Sequence, residues 1–178
     1  GVAELFLVTA NTPGAGLTQV LVPKGTAGVV VTRGRSIDMT RRFGSVRLDA
    51  VRLPRSAVLG QVGGAGDAVE RQLQQALLLQ CAESVGAADR AFEFTIEYAR
   101  DRFAFGRPIA SFQALKHRIA DMLQWLGFSK AVTDSAVAAV DAGSPDAGRM
   151  ARVAKAYVGD RCLEVIDECV QINGGIGV

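Results

Sequence analysis

The chain has 178 residues and a mass of 18.7 kDa, with 49% hydrophobic and 21% charged residues. That is enough apolar material to bury the core of one ordinary domain or two small ones, and too much for a disordered tail. The 20 Gly and 5 Pro follow no period, which excludes a collagenous or low-complexity chain, and 20 Lys+Arg against 18 Asp+Glu leave +2. Neither a basic excess nor basic clusters stand out, so nucleic acid is not expected as a partner.

The first part of the chain reads as short strands. Apolar, valine-rich runs at 5–9, 19–22, 28–32 and 45–48 are separated by turn residues at 11–16, 23–25 and 33–35. Short β-branched runs with that spacing predict antiparallel strands. The stretch from Val46 to Leu53 alternates with a period near two, and Pro54 ends it because it offers no N–H to a ladder. Gly1 opens inside the first strand-like run without an initiator methionine, which predicts a piece of a longer chain. The run lacks a basic leader region and a cleavage site, so it is not read as a signal peptide. Residues 60–67, Gly-Gln-Val-Gly-Gly-Ala-Gly-Asp, read as a flexible joint. Glycines before a helix can also cradle phosphate, but the Lys-Ser/Thr pair of a phosphate loop is missing.

Helical periodicity follows almost to the end. Leu78, Cys81, Val85, Ala88, Phe92, Ile96 and Ala99 step by three and four, one apolar stripe on a long helix. Leu115, Ile119, Met122 and Leu126 begin a second helix, with Ser111 as the expected N-cap. Residues 141–145 break it, and Gly143 suits a left-handed position. Met150, Val153, Ala154, Tyr157, Val158, Cys162, Val165, Ile166 and Cys169 make a third. The fold class expected is α+β: an incomplete antiparallel β-domain over 1–62, then an antiparallel helical bundle over 63–178.

Metal and disulfide chemistry have little to work with. His117 is the single histidine, on the wet side of a helix start, and no Cys-x-x-Cys pair exists. Cys81, Cys162 and Cys169 lie on apolar stripes and read as reduced core residues of an intracellular protein. Trp125 reads as packing. No apolar run reaches the roughly eighteen residues of a membrane span.

Two segments can carry chemistry. Tyr98-Ala-Arg-Asp-Arg-Phe-Ala-Phe-Gly-Arg-Pro-Ile109, followed by Ser111-Phe-Gln113, sets Arg100, Arg102 and Arg107 around a helix end. The arginines can simply complement the helix dipole, or they can clamp phosphate oxygens beside an aromatic ring. Gln171-Ile-Asn-Gly-Gly-Ile-Gly177 can be a helix cap, or a stretch where a ligand approaches the backbone closely.

Taken in order, Tyr-x-x-x-Arg-x-x-Phe-Gly-x-Pro-Ile, Phe-Gln, Ala-Asp-Met and Gln-x-x-Gly-Gly-x-Gly resemble the acyl-CoA dehydrogenase family, as do Leu21-Val-Pro, Val46-Arg-Leu-Asp-Ala-Val-Arg-Leu-Pro and Leu59-Gly upstream. The resemblance runs over essentially the whole chain. It implies an oxidoreductase of fatty acid or lipid β-oxidation that binds FAD, oxidises the Cα–Cβ bond of an acyl-CoA thioester and passes electrons to an electron-transferring flavoprotein. It also implies a tetramer built on the helical domain, with FAD across a subunit interface. Carried over by motif, Arg102 would contact the FAD pyrophosphate. Phe103 and Phe105 would pack on the cofactor, and Phe112 and Gln113 would lie along its adenosine side. Gln171, Gly174 and Gly175 would serve the FAD of a neighbouring subunit.

The base that removes the α-proton is not found. The resemblance places a glutamate past Val178, or in some members on the first long helix. That second position is Ala76 in this chain, followed by Leu77. Glu83, Glu93 and Glu97 remain on that helix and read as surface charges. Two other readings stay open: a non-catalytic partner subunit of a mixed oligomer that supplies FAD contacts, and a related flavin oxidase or monooxygenase. The compartment expected is the cytoplasm, or the mitochondrial matrix in a eukaryote.

Overall fold

The computed structural model describes residues 3–177; Gly1 and Val2 at the head of the first strand-like run, and Val178, lie outside them. The chain divides into two compact units, Gly1–Glu70 and Arg71–Val178.

The first unit is built on β1 (Leu5–Thr12), β2 (Gly16–Pro23), β3 (Val29–Arg33), β4 (Gly44–Leu48) and β5 (Val58–Leu59). β2 lies between β1 and β5, antiparallel to both, and β3 and β4 form a separate antiparallel pair. Alternating side chains of β2 reach inward, among them Val22 at 1% exposure. Buried Thr18 and Gln19 are held by cross-strand polar contacts. The Thr12 and Thr18 hydroxyls meet at 2.8 Å, and the Gln19 amide donates to Thr9 Oγ1 at 3.1 Å.

Two expectations are corrected by the structure. The period-two run to Leu53 is not one strand, because β4 stops at Leu48. Asp49 donates its N–H to the Gly28 carbonyl at 2.9 Å, and Ala50 turns the chain with φ +49°. A Cβ on Gly28 would sit 2.1 Å from the Asp49 carbonyl oxygen, so only glycine admits this crossing. Nor is 60–67 a loose joint. Gly63 N–H donates to Thr18 Oγ1 at 2.8 Å, Gly64 bridges Leu17, and Ala65 N–H donates to the Leu17 carbonyl at 2.9 Å. Gly63 admits the Ala15 carbonyl, 2.2 Å from where its Cβ would sit, so the segment is held closely rather than loosely.

Three helices, α1 (Gly66–Asp101), α2 (Gln113–Asp141) and α3 (Ala147–Asn173), make the bundle. α2 and α3 approach closely because the facing residues are small: Ser129, Thr133 and Ala136 on one, Ala151 and Ala154 on the other, all buried. Larger side chains fill the rest of the core, including Leu78, Met122, Leu126, Val158 and Val165. Ion pairs span the up-down-up arrangement: Lys130 to Asp89 at 2.8 Å joins α2 to α1, and Arg118 meets Glu168 of α3 with two nitrogens at 2.8 and 3.0 Å. Gly143, at φ +61°, closes α2 as its position anticipated. The expected stripes need adjustment. On α1, Thr95 is fully buried while Ile96 is half-buried, and on α3 Val153 points outward at 51% exposure.

The three cysteines are buried and unbridged, in keeping with the core reading. Burial pushes each thiol above its ordinary value of 9.0. The unfolded chain therefore loses those protons first as pH rises, and folding stability falls above about pH 9. We expect denaturant midpoints of the full-length protein to drop from pH 8 to pH 10. The drop should shrink in a Cys81→Ala/Cys162→Ala/Cys169→Ala variant. An equal drop in both proteins would assign it to other groups.

Candidate functional site

The up-down-up order brings the end of α1, the start of α2 and the end of α3 to one end of the bundle. Both sequence segments singled out for chemistry therefore lie there. α1 ends at Asp101, and Arg102 N–H still donates to the Tyr98 carbonyl at 2.8 Å. The Arg102 carbonyl accepts the N–H of Ile109 at 2.8 Å, closing a small hairpin of β6 (Phe103–Ala104) and β7 (Arg107–Pro108). Arg102 is thus held by its backbone on both sides while its side chain stays exposed.

Phe105 and Gly106 form the hairpin's turn, with φ +53° and +78°, the signs of a type I′ turn. Glycine and asparagine are usual there; a phenylalanine in the left-handed region is strained, by roughly 1–3 kcal/mol. Phe105 is also 96% exposed. A strained backbone that presents a bare aromatic ring is the reverse of what core packing selects. Phe103 is 62% exposed beside it.

Phe112 is half-buried and partly covered. The Arg107 guanidinium sits 4.0 Å from its ring centre, and Phe105 meets it edge-on at 6.3 Å. Arg107 thereby joins the aromatic group, a role the motif comparison did not give it. Ser111 does not cap α2. Its hydroxyl donates to the Pro108 carbonyl at 2.7 Å within a 3-10 turn, and Phe112 occupies the cap position without a side-chain cap. The first amides of α2 are left to attract negative charge beside Arg107. Gln113 is exposed in the first turn of α2, with its amide nitrogen 3.3 Å from His117 Nε2.

At the other strand of the site, α3 ends on Asn173, and Gln171 is exposed. Gly174 takes φ +59°, which the turn requires. Gly175 has no such need, and a Cβ there would meet nothing within 4 Å. Packing within the chain does not call for glycine at 175, and its backbone lies open to approach.

Sequence reading missed the pair beneath this turn. Asn173 and Thr95 are both buried. Asn173 Nδ2 donates to Thr95 Oγ1 at 2.9 Å and to the Cys169 carbonyl at 2.8 Å, while Thr95 donates to the Ala91 carbonyl at 2.8 Å. Asn173 Oδ1 is buried without a hydrogen-bond partner among the described residues. The signal was present: Ala88, Phe92, Thr95 and Ala99 follow the helical step better than a stripe through Ile96.

Other candidates fall away. Ala76 is exposed and Leu77 packs on the core, so no carboxylate stands at that point of α1. Glu93 pairs with Arg90 at 3.1 Å, and Glu97 is exposed. Trp125 packs on the core with Arg161 5.6 Å over its ring. No cluster of metal-ligating side chains occurs among the described residues, and no helix is long and apolar enough to cross a membrane.

The comparisons with known proteins follow the same lines. Residues 63–178 match the family described as "Acyl-CoA dehydrogenase, C-terminal domain". The chain is 38% identical over 143 residues to acyl-CoA dehydrogenase IpdE2 of Mycolicibacterium smegmatis, covering 80% of this chain and 40% of that relative. The chain belongs to the acyl-CoA dehydrogenase family. Its fold is similar to part of butyryl-CoA dehydrogenase from Megasphaera elsdenii, with a TM-score of 0.90 at 26% identity over 99% of this chain and 48% of that one. It is also similar to a chain of the ChsE4–ChsE5 complex from Mycobacterium tuberculosis, with a TM-score of 0.89 at 28% identity over 99% of this chain and 46% of that one. The chain thus spans under half the length of each of these proteins.

The residues fit a flavin dinucleotide. They offer guanidinium groups for a pyrophosphate, exposed aromatic rings for flat surfaces, and an open glycine backbone. The buried tie between α1 and α3 holds these parts together at the bundle end. In a double-mutant cycle on the full-length protein, Thr95→Val and Asn173→Leu should each cost about 1–3 kcal/mol, because each strands a buried polar partner. The double variant should cost less than their sum, with a coupling of roughly 0.5–1.5 kcal/mol. Strict additivity in urea denaturation would show that the two side chains do not interact.

Proposed function

We propose that this chain is the later part of an FAD-dependent acyl-CoA dehydrogenase that oxidises the Cα–Cβ bond of an acyl-CoA thioester to the enoyl-CoA. Residues 1–62 are read as part of its middle β-domain and 63–178 as most of its C-terminal helical domain. The observation that carries this reading is the bundle end, where a strained, bare Phe105, the backbone-held Arg102 and the open Gly174-Gly175 turn stand together in a chain of this family.

Arg102 binds a cofactor phosphate bidentately, as its planar fork suits. Phe103 and Phe105 cover flat cofactor surface, and Phe112, held by Arg107, lines the adenosine side with Gln113. Gln171, Gly174 and Gly175 receive the cofactor of a neighbouring subunit through amide and backbone contacts. FAD, when bound, accepts the hydride equivalent removed from Cβ. The α-proton needs a carboxylate base, and Ala76 does not supply one, so the base is assigned to a glutamate past Val178. Electrons pass on to an electron-transferring flavoprotein. The assembly is an oligomer through the helical domain, in the cytoplasm or a mitochondrial matrix.

A second reading is kept because of Ala76 and Leu77: a partner subunit without a base that completes the FAD site of a catalytic sister chain. The likeness to one chain of a two-protein complex supports it.

The test uses full-length protein purified with its flavin. Arg102→Ala should release FAD at least about tenfold more readily, which corresponds to the loss of one or two charge-assisted hydrogen bonds. Flavin absorbance after gel filtration reads the loss. Unchanged retention removes Arg102 from the site. Acyl-CoA-dependent bleaching of the flavin then separates the readings: bleaching by the protein alone supports the dehydrogenase, and bleaching only with a sister chain supports the partner subunit.

A further inference from the structure

A second group of arginines lies in the first unit, far along the sequence from the bundle end. Residues 33–55 hold seven arginines against two aspartates, a local +5 in a chain whose total is +2. This corrects the expectation that no basic cluster stands out: the chain-wide charge balance masks it. Four of these arginines, Arg33, Arg35, Arg41 and Arg42, line one cleft of about 500 Å³ where the connection between β3 and β4 folds over. That volume lies within the range of small-molecule sites, and is larger than a single inorganic ion needs.

The connection is organised from within by its one carboxylate. Asp38 Oδ1 accepts both the N–H of Thr40 at 2.8 Å and its hydroxyl at 2.6 Å. Asp38 Oδ2 faces Arg41 at 3.5 Å, and Asp38 N–H donates to Ser36 Oγ at 3.1 Å. Asp38 lines the cleft too, but its oxygens are taken up by these contacts. Arg33, Arg35 and Arg42 have no carboxylate partner among the described residues, and all are exposed. Like charges crowded on one loop repel, and that repulsion is relieved when an anion enters between them. Met39, 96% exposed on the rim, adds a soft apolar surface on which a flat ring can rest.

We propose that the cleft formed by Arg33, Arg35, Arg41 and Arg42 binds the phosphate groups of a nucleotide. Guanidinium forks set around one cavity match multiply charged phosphate oxygens better than they match a single carboxylate. The site does not rest on the flavin reading, because none of its residues belongs to the bundle end.

The experiment is calorimetric titration of the full-length protein with inorganic pyrophosphate at low salt. We expect saturable binding of one equivalent at this cleft, weakened at least about tenfold in Arg35→Gln/Arg42→Gln. Arg35→Lys should keep part of the affinity, since it retains charge and loses the fork. Arg90→Gln, an exposed arginine of α1 paired with Glu93, should leave it unchanged. Absence of saturable binding, or binding untouched by the double substitution with circular dichroism unaltered, overturns the proposal. Displacement of pyrophosphate by coenzyme A, but less well by 3′-dephospho-coenzyme A, identifies the nucleotide end of the thioester as the source. Displacement by ADP alone identifies a separate nucleotide. Displacement by none of them overturns the nucleotide assignment.

Discussion

A hydrogen bond between two buried side chains governs the geometry of the bundle end. Thr95 and Asn173 are nearly eighty residues apart in sequence and meet at 2.9 Å in the interior. One lies two turns before the end of α1, the other on the last turn of α3. Without this tie the ends of two long helices would be held only by apolar packing, which sets distance loosely and rotation hardly at all. A directional bond sets both. The Gly174-Gly175 turn follows directly from Asn173, so its position is referred to α1 and hence to Arg102. A buried polar pair is costly to leave half-satisfied, which makes it a specific device rather than a source of stability.

The strained turn at Phe105 depends on the same rigidity. A left-handed phenylalanine persists only where its flanks over-determine it. In this hairpin the flanks are the end of α1, the Arg102 carbonyl bonded to Ile109, and the ring of Phe112 with Arg107 against it. The bundle fixes the base of the hairpin, and the hairpin presents its ring outward. Order at the helix ends is thereby converted into exposure of one side chain, which suits a surface that meets a large, flat, charged ligand.

Much of this was legible from residue pattern. Turn residues marked the strands closely, helical steps marked all three helices, and Gly143 marked a helix end. What escaped had local causes. The alternation beyond Leu48 is genuine in sequence, but Gly28 admits the Asp49 carbonyl and the strand turns away. The glycines at 63 and 64 suggested looseness, whereas the segment is hydrogen-bonded to β2 and the approach of Ala15, just before β2, requires glycine at 63. Ser111 looked like a cap, yet the proline before it offered a nearer carbonyl. Thr95 escaped because hydrophobic periodicity counts apolar residues, and the residue that matters at that level of the bundle is polar. Family resemblance pointed to the glycines and Arg102; it did not point to Arg107, Thr95 or Asn173, whose contacts appear in the three-dimensional packing.

Cations in this chain are mostly arginine, 16 of 20, and the structure shows what the guanidinium does that an ammonium would not. Arg118 meets Glu168 with two nitrogens and joins α2 to α3. Arg107 lies over Phe112, where a planar delocalised ion loses little hydration. Arg102 stands exposed on a fixed backbone. These are three uses of one group: as a bidentate brace, as a flat cover and as an open fork. The first engages the fork itself within the chain, and the second engages one face of it. Arg102, set on an ordered backbone, has no such use within the described residues. What separates these arginines is their partners and not their position in the sequence.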